Sequence, residues 1–385
     1  MSGMLEQHDP IQLGDRLRGA RIRAGLTQEE AAKSLELART TLVAVEKGQR
    51  RVRADELEAF VRAYGVTVNA LFRQSAIHVD LVPRFRSLRD SSEAGKEAAR
   101  LLNDLVAAEL ELEGLVSRRL KKDYPAERPI LPGDIRDQAE DIAGDMRHRL
   151  GLGLAPIADI VSLLEVELGI RVYIRPLKSS ISGLFVFDDE VGACIMLNQN
   201  HPRPRRALTA AHEFAHLITA RHEPDVLEST AGPQSRAERF ATAFSLSFMM
   251  PAAVVRSRFR ESQQISERFS PRHLILMAHA LHVSQEAMCR RLEDLKLLPS
   301  GTWESLISRG FSGEQVQEVL GDRPKDDGLA IPPRLWMLAA EAHRRELLTE
   351  GQIAQLLRMD RFEIRQLLDM LGSNDEHDLH SIARE

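Results

Sequence analysis

The stretch Ala210-Ala211-His212-Glu213-Phe214-Ala215-His216-Leu217-Ile218 constrains this chain more than any other part of it. On an α-helix, His212 and His216 lie one turn apart on the same face, so both imidazoles can bind one metal ion. Glu213 is rotated from them by about 100°, where its carboxylate can reach a metal-bound water. The apolar neighbours indicate a buried helix, in which unpartnered histidines are costly. The pattern predicts zinc-assisted hydrolysis; two satisfied core histidines are the alternative.

A catalytic zinc site needs a third protein ligand and keeps one position for water. Glu238 follows His216 by 22 residues, which is far enough for a second helix to return and direct a carboxylate at the histidines. It lies at the edge of an apolar helical face formed by Phe240, Ala241, Phe244 and Phe248. Taken alone, Glu238 could equally be an ordinary solvated glutamate.

Three segments together resemble the ImmA/IrrE family of metallopeptidases, which are associated with helix-turn-helix regulators. They are Arg205-Arg206-Ala207-Leu208, Glu238-x-x-Ala241-x-x-Phe244 with Met250-Pro251, and Val283-Ser284-x-x-Ala287-Met288 with Arg291-Leu292. The resemblance implies a zincin-like fold of the gluzincin type. It also implies that His212, His216 and Glu238 bind zinc, with manganese as the alternative metal, and that Glu213 is the catalytic base.

The segment from about Leu13 to Phe72 has a helical pattern throughout. Thr27 and Glu30 form a capping-box signature for a second helix, and a third is expected over Arg39–Glu46. Two shorter helices follow, Asp55–Tyr64 and Val68–Phe72. Helix, tight turn and helix is the geometry that places a recognition helix in the major groove of DNA. Residues 12–53 hold ten Lys or Arg against five Asp or Glu, although the chain has a net charge of −5, so a basic face is expected here.

The same segment resembles the Xre, or Cro/C1-type, helix-turn-helix domain. The resemblance is carried by Leu17-Arg18-x-x-Arg21, Gly25-Leu26-Thr27-Gln28, Thr41-Leu42 and Val45-Glu46-Lys47-Gly48. Eight residues are the DNA contacts that it implies: Gln28, Arg39, Thr40, Thr41, Val43, Ala44, Lys47 and Arg50. Gln28 would touch a phosphate, and the fork of Arg39 matches O6 and N7 of guanine. Ala38 stands where the family often has Ser or Thr, so a weaker cap is expected there.

Five apolar residues between about His78 and Arg128 recur at spacings of four and three: Leu101, Leu105, Ala108, Leu112 and Leu115. This seam could form a dimer zipper or lie against the rest of the chain. Fewer than four clean heptads make docking at least as favourable as a zipper.

The central region is expected to begin with helices over Ile135–Leu150 and Pro156–Leu168, with Pro156 in the first turn of the second. Three strands should follow: Ile170–Ile174, Leu184–Phe187 and Cys194–Leu197. An extended peptide substrate could pair with an exposed edge of this sheet. Three residues could stabilise the oxyanion, and spacing does not choose among them: Tyr173, His222 and Arg236.

The last part of the chain is helical. Leu348 to Leu357 is typical of a second, degenerate helix-turn-helix, although a small packing module is the favoured interpretation. Residues 321–328 indicate a linker, and those from about 373 a polar tail. The two cysteines, Cys194 and Cys289, are expected in the core. Without an apolar run of membrane-spanning length or a signal peptide, the protein is expected in the cytoplasm, and with the nucleoid when bound to DNA.

The sequence therefore predicts a mostly α protein with a small β-sheet, of the α+β class. Its predicted parts are a helix-turn-helix domain (13–75), a helical connector (76–130), a zinc peptidase domain (131–298) and a helical C-terminal module (299–385). The expected partners are operator DNA, a protein substrate such as a helix-turn-helix repressor, and a second copy in a homodimer, with no membrane.

The predicted function is transcriptional regulation combined with zinc-dependent cleavage of a specific regulatory protein, in a stress or mobile-element response. One alternative is a transcription factor whose metal-bearing domain senses a ligand or supports oligomerisation without proteolysis. Another is an antitoxin-like partner of a neighbouring gene product.

Overall fold

A computed structural model describes residues 10–65, 81, 92–228, 235–266, 268–321 and 332–372. The chain divides into two compact units, residues 1–79 and 80–385. Three predicted features lie outside the described residues: the helix Val68–Phe72, most of the linker 321–328 and the polar tail from 373.

The regular secondary structure in the described part of the first unit is entirely helical. Its helices are α1 (Pro10–Arg23), α2 (Gln28–Ser34), α3 (Arg39–Glu46) and α4 (Ala54–Tyr64). The capping box predicted for α2 is confirmed, because Thr27 Oγ1 accepts from the Glu30 amide and the Glu30 carboxylate accepts from the Thr27 amide. Ala38 gives α3 no side-chain cap, as expected. The core is apolar and includes Leu17, Leu42, Val45, Leu57 and Phe60.

Two contacts fix how α1 crosses α3. A Cβ atom at Gly14 would lie 2.5 Å from the Val45 carbonyl oxygen, so the close crossing requires glycine there. Arg21 on α1 donates to the buried carboxylate of Glu46 on α3 at 2.6 Å. Because burial of either charge alone would be costly, this pair ties α3 to the core.

The second unit is mostly helical and contains one four-stranded sheet, in agreement with the predicted α+β class. Its elements in chain order are α5 (Glu93–Val116), α6 (Ile135–Arg149), α7 (Ile160–Leu168), β1 (Arg171–Arg175), β2 (Ile181–Asp188), β3 (Gly192–Asn198), α8 (Arg203–Thr219), β4 (Asp225–Glu228), α9 (Arg236–Met249), α10 (Ala252–Ile265), α11 (Pro271–Ala280), α12 (Gln285–Asp294), α13 (Thr302–Ser308), α14 (Gly313–Leu320), α15 (Pro333–Arg344), α16 (Glu350–Leu357) and α17 (Arg361–Gly372).

The sheet has the order β1-β3-β2-β4, with β1 parallel to β3 and the other two pairs antiparallel. Residues of one face, including Val172, Phe185 and Phe187, pack into the main core with helices α6 to α9. The three predicted strands are present. Strand β4 was not predicted, because its four residues are too few for an alternating pattern to stand out.

Helix α5 packs on the other face of the sheet. Arg171 of β1 donates to Glu109 and Glu113 of α5, and the Tyr173 hydroxyl donates to Glu109. Of the apolar seam, Leu105, Ala108 and Leu112 are buried within the chain. The seam therefore docks intramolecularly, which was one of its two predicted uses.

The C-terminal helices complete this layer. Helices α15 and α16 pack on α5, Arg334 of α15 reaches Glu113 at 2.6 Å, and Arg175 of β1 donates to the Leu357 carbonyl at 2.9 Å.

The predicted start of α7 near Pro156 is wrong. Asp159 caps the helix, since its Oδ1 accepts from the amides of Val161 and Ser162 at 3.1 and 3.2 Å. This cap places the first helical residue at Ile160, and Gly169 ends the helix with φ +66° as expected.

Both cysteines are unpaired and buried, as predicted. Within the described ranges no single helix has the length and hydropathy of a membrane span, and one pair, Arg236–Met249 with Ala252–Gln264, meets that test only when joined across a 57° bend.

Candidate metal centre and nucleic-acid interface

Helix α8 carries the two predicted histidine ligands in the interior of the second unit. His212 and His216 are 5 % and 4 % exposed, and their ring centroids lie 5.1 Å apart. Phe185 of β2 stacks on the His216 ring at a centroid distance of 6.3 Å. The helical spacing expected from the sequence thus places both imidazoles side by side, and the sheet fixes the orientation of one of them.

Glu238 reaches both rings from helix α9. Its Oε2 lies 3.2 Å from His212 Nε2, and its Oε1 lies 3.3 Å from His216 Nε2. Ser235 caps α9 through the Glu238 amide, and a glutamate at this position commonly folds back onto the cap. Here the carboxylate turns to the histidines instead.

Two arginines hold the far end of α9 through its last carbonyls. Arg147 donates to the Phe248 carbonyl at 2.6 Å, and Arg291 donates to the Met250 carbonyl at 2.9 Å. Helix ends leave such carbonyls without intrahelical partners, so these bonds fix the position of α9 and hence of Glu238.

Asp225, the first residue of β4, was not foreseen from the sequence. Its Oδ2 lies 3.7 Å from His216 Nε2, and one ligand atom from each of His212, His216, Asp225 and Glu238 lies within 4.8 Å of the others. No sequence signal marks this aspartate. Its position follows from the pairing of β4 with β2, which sets Asp225 opposite Phe185.

Glu213 is fully buried beside this cluster. Neither of its carboxylate oxygens has a hydrogen-bond partner in the described protein. Burial raises the pKa of Glu213 well above its ordinary value, and the charges of Asp225 and Glu238 raise it further. A Cβ atom at Gly183 of β2 would lie 2.7 Å from Glu213 Oε1, so glycine at this position makes room for the carboxylate.

The charges within the cluster are strongly linked. Burial acts to raise the pKa of Glu238, but the His212 and His216 rings outweigh it and hold that pKa well below the ordinary value. Burial lowers the pKa of His216, yet Glu238 and Asp225 together raise it above its usual range. Burial raises the pKa of Asp225, partly opposed by His216.

The donor set fits a divalent transition metal. Ligand bonds of about 2.0–2.2 Å around a tetrahedral ion place neighbouring ligand atoms roughly 3.3–3.6 Å apart. The separations of 3.2, 3.3 and 3.7 Å among these side chains are close to that spacing. His216 Nε2 and Asp225 Oδ2 are buried and make no hydrogen bond, so a divalent cation held there would satisfy both atoms.

Two of the three oxyanion candidates are directed elsewhere. The Tyr173 hydroxyl donates to Glu109 on the sheet face that carries α5. Arg236 donates to the carbonyls of Leu131 and Gly133. His222 is exposed and makes an edge contact with Phe187, at a centroid distance of 5.2 Å.

In the first unit, α3 presents the predicted DNA-contact residues on the side opposite its buried residues. Arg39, Thr40 and Lys47 are exposed, and three more are half-buried: Thr41, Val43 and Ala44. The opposite side of α3 buries Leu42 and Val45 in the core. The arrangement is that of a helix with one free face, as groove recognition requires.

The other two predicted contacts are engaged within the unit. Gln28 donates from its side-chain amide to Glu46 at 2.9 Å. Arg50 forms a two-pronged pair with Glu56, the shorter distance being 2.7 Å. A phosphate contact by Arg50 would have to compete with that carboxylate.

Two segments of the chain match known domain families. Residues 166–293 match the peptidase family model described as the IrrE N-terminal-like domain, and residues 12–71 match a helix-turn-helix domain. The chain is also 26 % identical over 111 residues to the cryptic phage CTXphi transcriptional repressor RstR of Vibrio cholerae, covering 28 % of this chain and 96 % of that protein. The chain thus joins an Xre-like helix-turn-helix domain to an ImmA/IrrE-like peptidase domain, as the sequence motifs indicated.

Proposed function

We propose that this chain, a helix-turn-helix domain joined to an IrrE-like peptidase domain, is a transcriptional regulator that also cleaves a specific regulatory protein with the help of a divalent metal. The buried Glu213 carboxylate carries the proposal. It adjoins a cluster of histidine and carboxylate donors, and neither of its oxygens is used by the protein itself. A purely structural metal site would have no use for such a group.

His212, His216 and Glu238 would hold the metal. A zinc ion bound there would polarise a peptide carbonyl and promote the ionisation of water near neutral pH, and manganese is the alternative. Glu213 accepts the proton of the attacking water on a carboxylate oxygen and delivers it to the leaving nitrogen, so that hydrolysis ends with a carboxylate and an amine.

The proposed partners follow from the two domains. Likeness to a phage transcriptional repressor supports operator DNA as the partner of the first unit. We propose that the cleaved protein is a repressor with a similar helix-turn-helix domain, that the protein acts in the cytoplasm, and that it forms a homodimer through surfaces other than the α5 seam. The predicted domain boundaries 13–75, 76–130, 131–298 and 299–385 are part of the proposal.

The alternative is a regulator whose metal site has no proteolytic role. The presence of Asp225 favours it, because four protein donors complete a tetrahedral sphere in the manner of structural zinc sites.

The first experiment compares wild type with Glu213→Gln. Wild type and the variant are each added to an extract of the cells in which this protein is made. The new protein termini that appear in each extract are then mapped by mass spectrometry. We expect Glu213→Gln to retain its metal and to cut about 100-fold or more slowly, since general base catalysis contributes that much.

The matched control is Glu223→Gln, which changes an exposed glutamate near the site and should cut at the wild-type rate. Glu238→Ala should lose the metal, as measured by elemental analysis. A Glu213→Gln protein that cuts as fast as wild type would contradict the proposal.

A further inference from the structure

We infer that Asp225 is a fourth protein ligand of the metal and that strand β4 is a built-in lid, so that the described conformation is the latent form of the site. The inference rests on the proposed peptidase function. It differs from that proposal in assigning to the chain itself the group that occupies the position needed by water.

The contacts of Asp225 carry the first step. Its side chain is 20 % exposed, its Oδ2 is buried and makes no hydrogen bond, and that atom lies 3.7 Å from His216 Nε2. A buried carboxylate oxygen without a donor is costly unless a cation or a proton satisfies it. Asp225 points into the same cluster as Glu238, so the metal is the group that would satisfy it.

The second step concerns the sheet edge. Strand β4 pairs antiparallel with β2, with Asp225 opposite Phe185 and Leu227 opposite Gly183. Strand β2 borders the site, because Gly183 adjoins Glu213 and Phe185 stacks on His216. An extended peptide that paired with β2 would run past these residues. Strand β4 already occupies that edge, so a substrate strand and β4 compete for the same backbone groups.

The third step is that β4 is weakly held. It has four residues, all only half-buried, and its ladder with β2 contains an irregularity between Ile181 and Gly183. Short, half-exposed strands open at a small cost in free energy. Displacement of β4 would free the β2 edge and withdraw Asp225 from the cluster in one movement.

A contact at the end of β4 connects this lid to α5. Glu228 Oε1 accepts from the Ser92 amide at 3.2 Å and from the Ser92 hydroxyl at 2.8 Å. Ser92 also caps α5, because its hydroxyl accepts from the Gly95 amide. The Ser92–Glu228 contact therefore acts as a latch, and a movement of the start of α5 would loosen β4.

The test uses the full chain loaded with Co²⁺, whose visible absorption reports its ligands, and sodium azide as an anion that binds an open metal position. Asp225→Asn preserves the shape of the side chain and removes the strong carboxylate ligand. We expect azide to bind this variant at least about 10-fold more tightly than wild type, because one position becomes free. Competition with a chelator should show that Asp225→Asn binds zinc at least about 10-fold more weakly than wild type does.

Two further variants complete the experiment. Ser92→Ala, which weakens the latch and leaves all four donors in place, should bind azide more tightly than wild type but less tightly than Asp225→Asn. Glu190→Gln, a change at an exposed acid in the β2–β3 turn, should match wild type. If Asp225→Asn equals wild type in both azide and zinc affinity, Asp225 is not a ligand and the inference is overturned.

Cleavage separates this inference from the proposed function. Asp225→Asn should cut faster than wild type, and the double variant with Glu213→Gln should not cut. If Asp225→Asn binds azide more tightly than wild type but cleaves no protein, Asp225 is still a ligand. The proposed peptidase function is then refuted, and the role of β4 in a latent form is refuted with it. If Asp225→Asn and wild type bind azide equally well and cleavage depends on Glu213, the lid is refuted and the proposed peptidase function stands.

Discussion

At the residue scale, the site depends on residues that would take no part in the chemistry themselves. Gly183 is the clearest case, since a Cβ atom there would lie 2.6 Å from Thr209 Cγ2 and 2.7 Å from Glu213 Oε1. Both neighbours belong to the buried helix α8, so neither can withdraw into solvent. A tightly packed interior transmits such a clash to the groups around it.

We therefore expect Gly183→Ala to displace the Glu213 carboxylate and to slow Glu213-dependent cleavage about 10-fold or more, because small errors in position are costly to catalysis. Metal content, measured by elemental analysis, should stay near the wild-type value. Gly144→Ala on α6 is the matched control, since its Cβ atom meets open space. Wild-type cleavage by Gly183→Ala would show that this contact does not position Glu213.

The predicted DNA contacts also belong to the residue scale. Arg39 is exposed at the start of α3, and an arginine that reads guanine contributes about 1–3 kcal/mol of discrimination. We expect Arg39→Ala to lose roughly that much affinity for the preferred operator and to relax its specificity. Operators selected from random DNA and titrated by fluorescence anisotropy would provide the measurement.

Lys47→Ala is the comparison for Arg39→Ala. Lys47 is exposed, and we expect it to contact a phosphate, so its loss should weaken binding to all sequences alike and reduce the salt dependence of binding. Equal effects of the two changes on every operator would argue against base readout by Arg39.

At the scale of elements, the same kind of turn connects two helices at three places in the described part of the chain. A residue other than glycine, with positive φ, precedes the second helix by three positions in each case: Glu36 before α3, His282 before α12 and Arg358 before α17. A buried leucine stands directly before each of them: Leu35, Leu281 and Leu357. The third copy lies in the segment for which the sequence suggested a degenerate helix-turn-helix and favoured a small packing module; α15 and α16 of that segment pack on α5.

Glu36 tests the cost of this turn. Its φ is +53°, a conformation that costs a residue with a Cβ atom about 1 kcal/mol and that glycine adopts freely. We expect Glu36→Gly to stabilise the first unit by roughly 0.5–1 kcal/mol, seen as slower amide hydrogen exchange in α2 and α3 of the full chain. Glu36→Ala retains the strained conformation and should not slow exchange, and equal protection in the two variants would refute the explanation.

At the scale of the whole molecule, the second unit is held together by buried charges between α5, α7, β1 and α15. Glu165 of α7 accepts from the Arg334 amide of α15. Burial raises the pKa of Glu165 to about 8, with a contribution from Glu109 and some opposition from Arg334. The folded state therefore holds this proton more tightly than the unfolded chain does.

The sign of the pH dependence follows from that difference. The stability that the protonated Glu165 contributes is complete below its ordinary pKa of 4.5 and is lost progressively up to about pH 8. We expect Glu165→Gln, which cannot ionise, to equal wild type near pH 4.5 and to exceed it by on the order of 3 kcal/mol at pH 8. Thermal unfolding across this pH range is the measurement.

Glu167→Gln, on the exposed side of the same helix, is the control and should unfold like wild type at every pH. Parallel curves for Glu165→Gln and wild type would mean that Glu165 ionises in the folded protein as it does in the unfolded chain.

The sequence alone determined the features that depend on neighbours along the chain. The spacing of His212 and His216, the Thr27 capping box and the bounds of α3 all follow from one turn of helix or one cap. Together with the family resemblances, these local patterns were enough to establish the α+β class and to predict His212, His216 and Glu238 as metal donors.

Only the tertiary structure decided what lies beside these residues. Asp225 meets His216 because β4 pairs with a strand some 40 residues earlier in the chain. Gly183 faces Glu213, and Arg147 holds the end of α9, through contacts between elements that are distant in sequence. Such contacts leave no local pattern, since they depend on how helices and strands pack. The sequence therefore predicted three metal donors and a base, whereas the fold added Asp225 as a further candidate donor, the space for the Glu213 carboxylate and the position of β4 beside them.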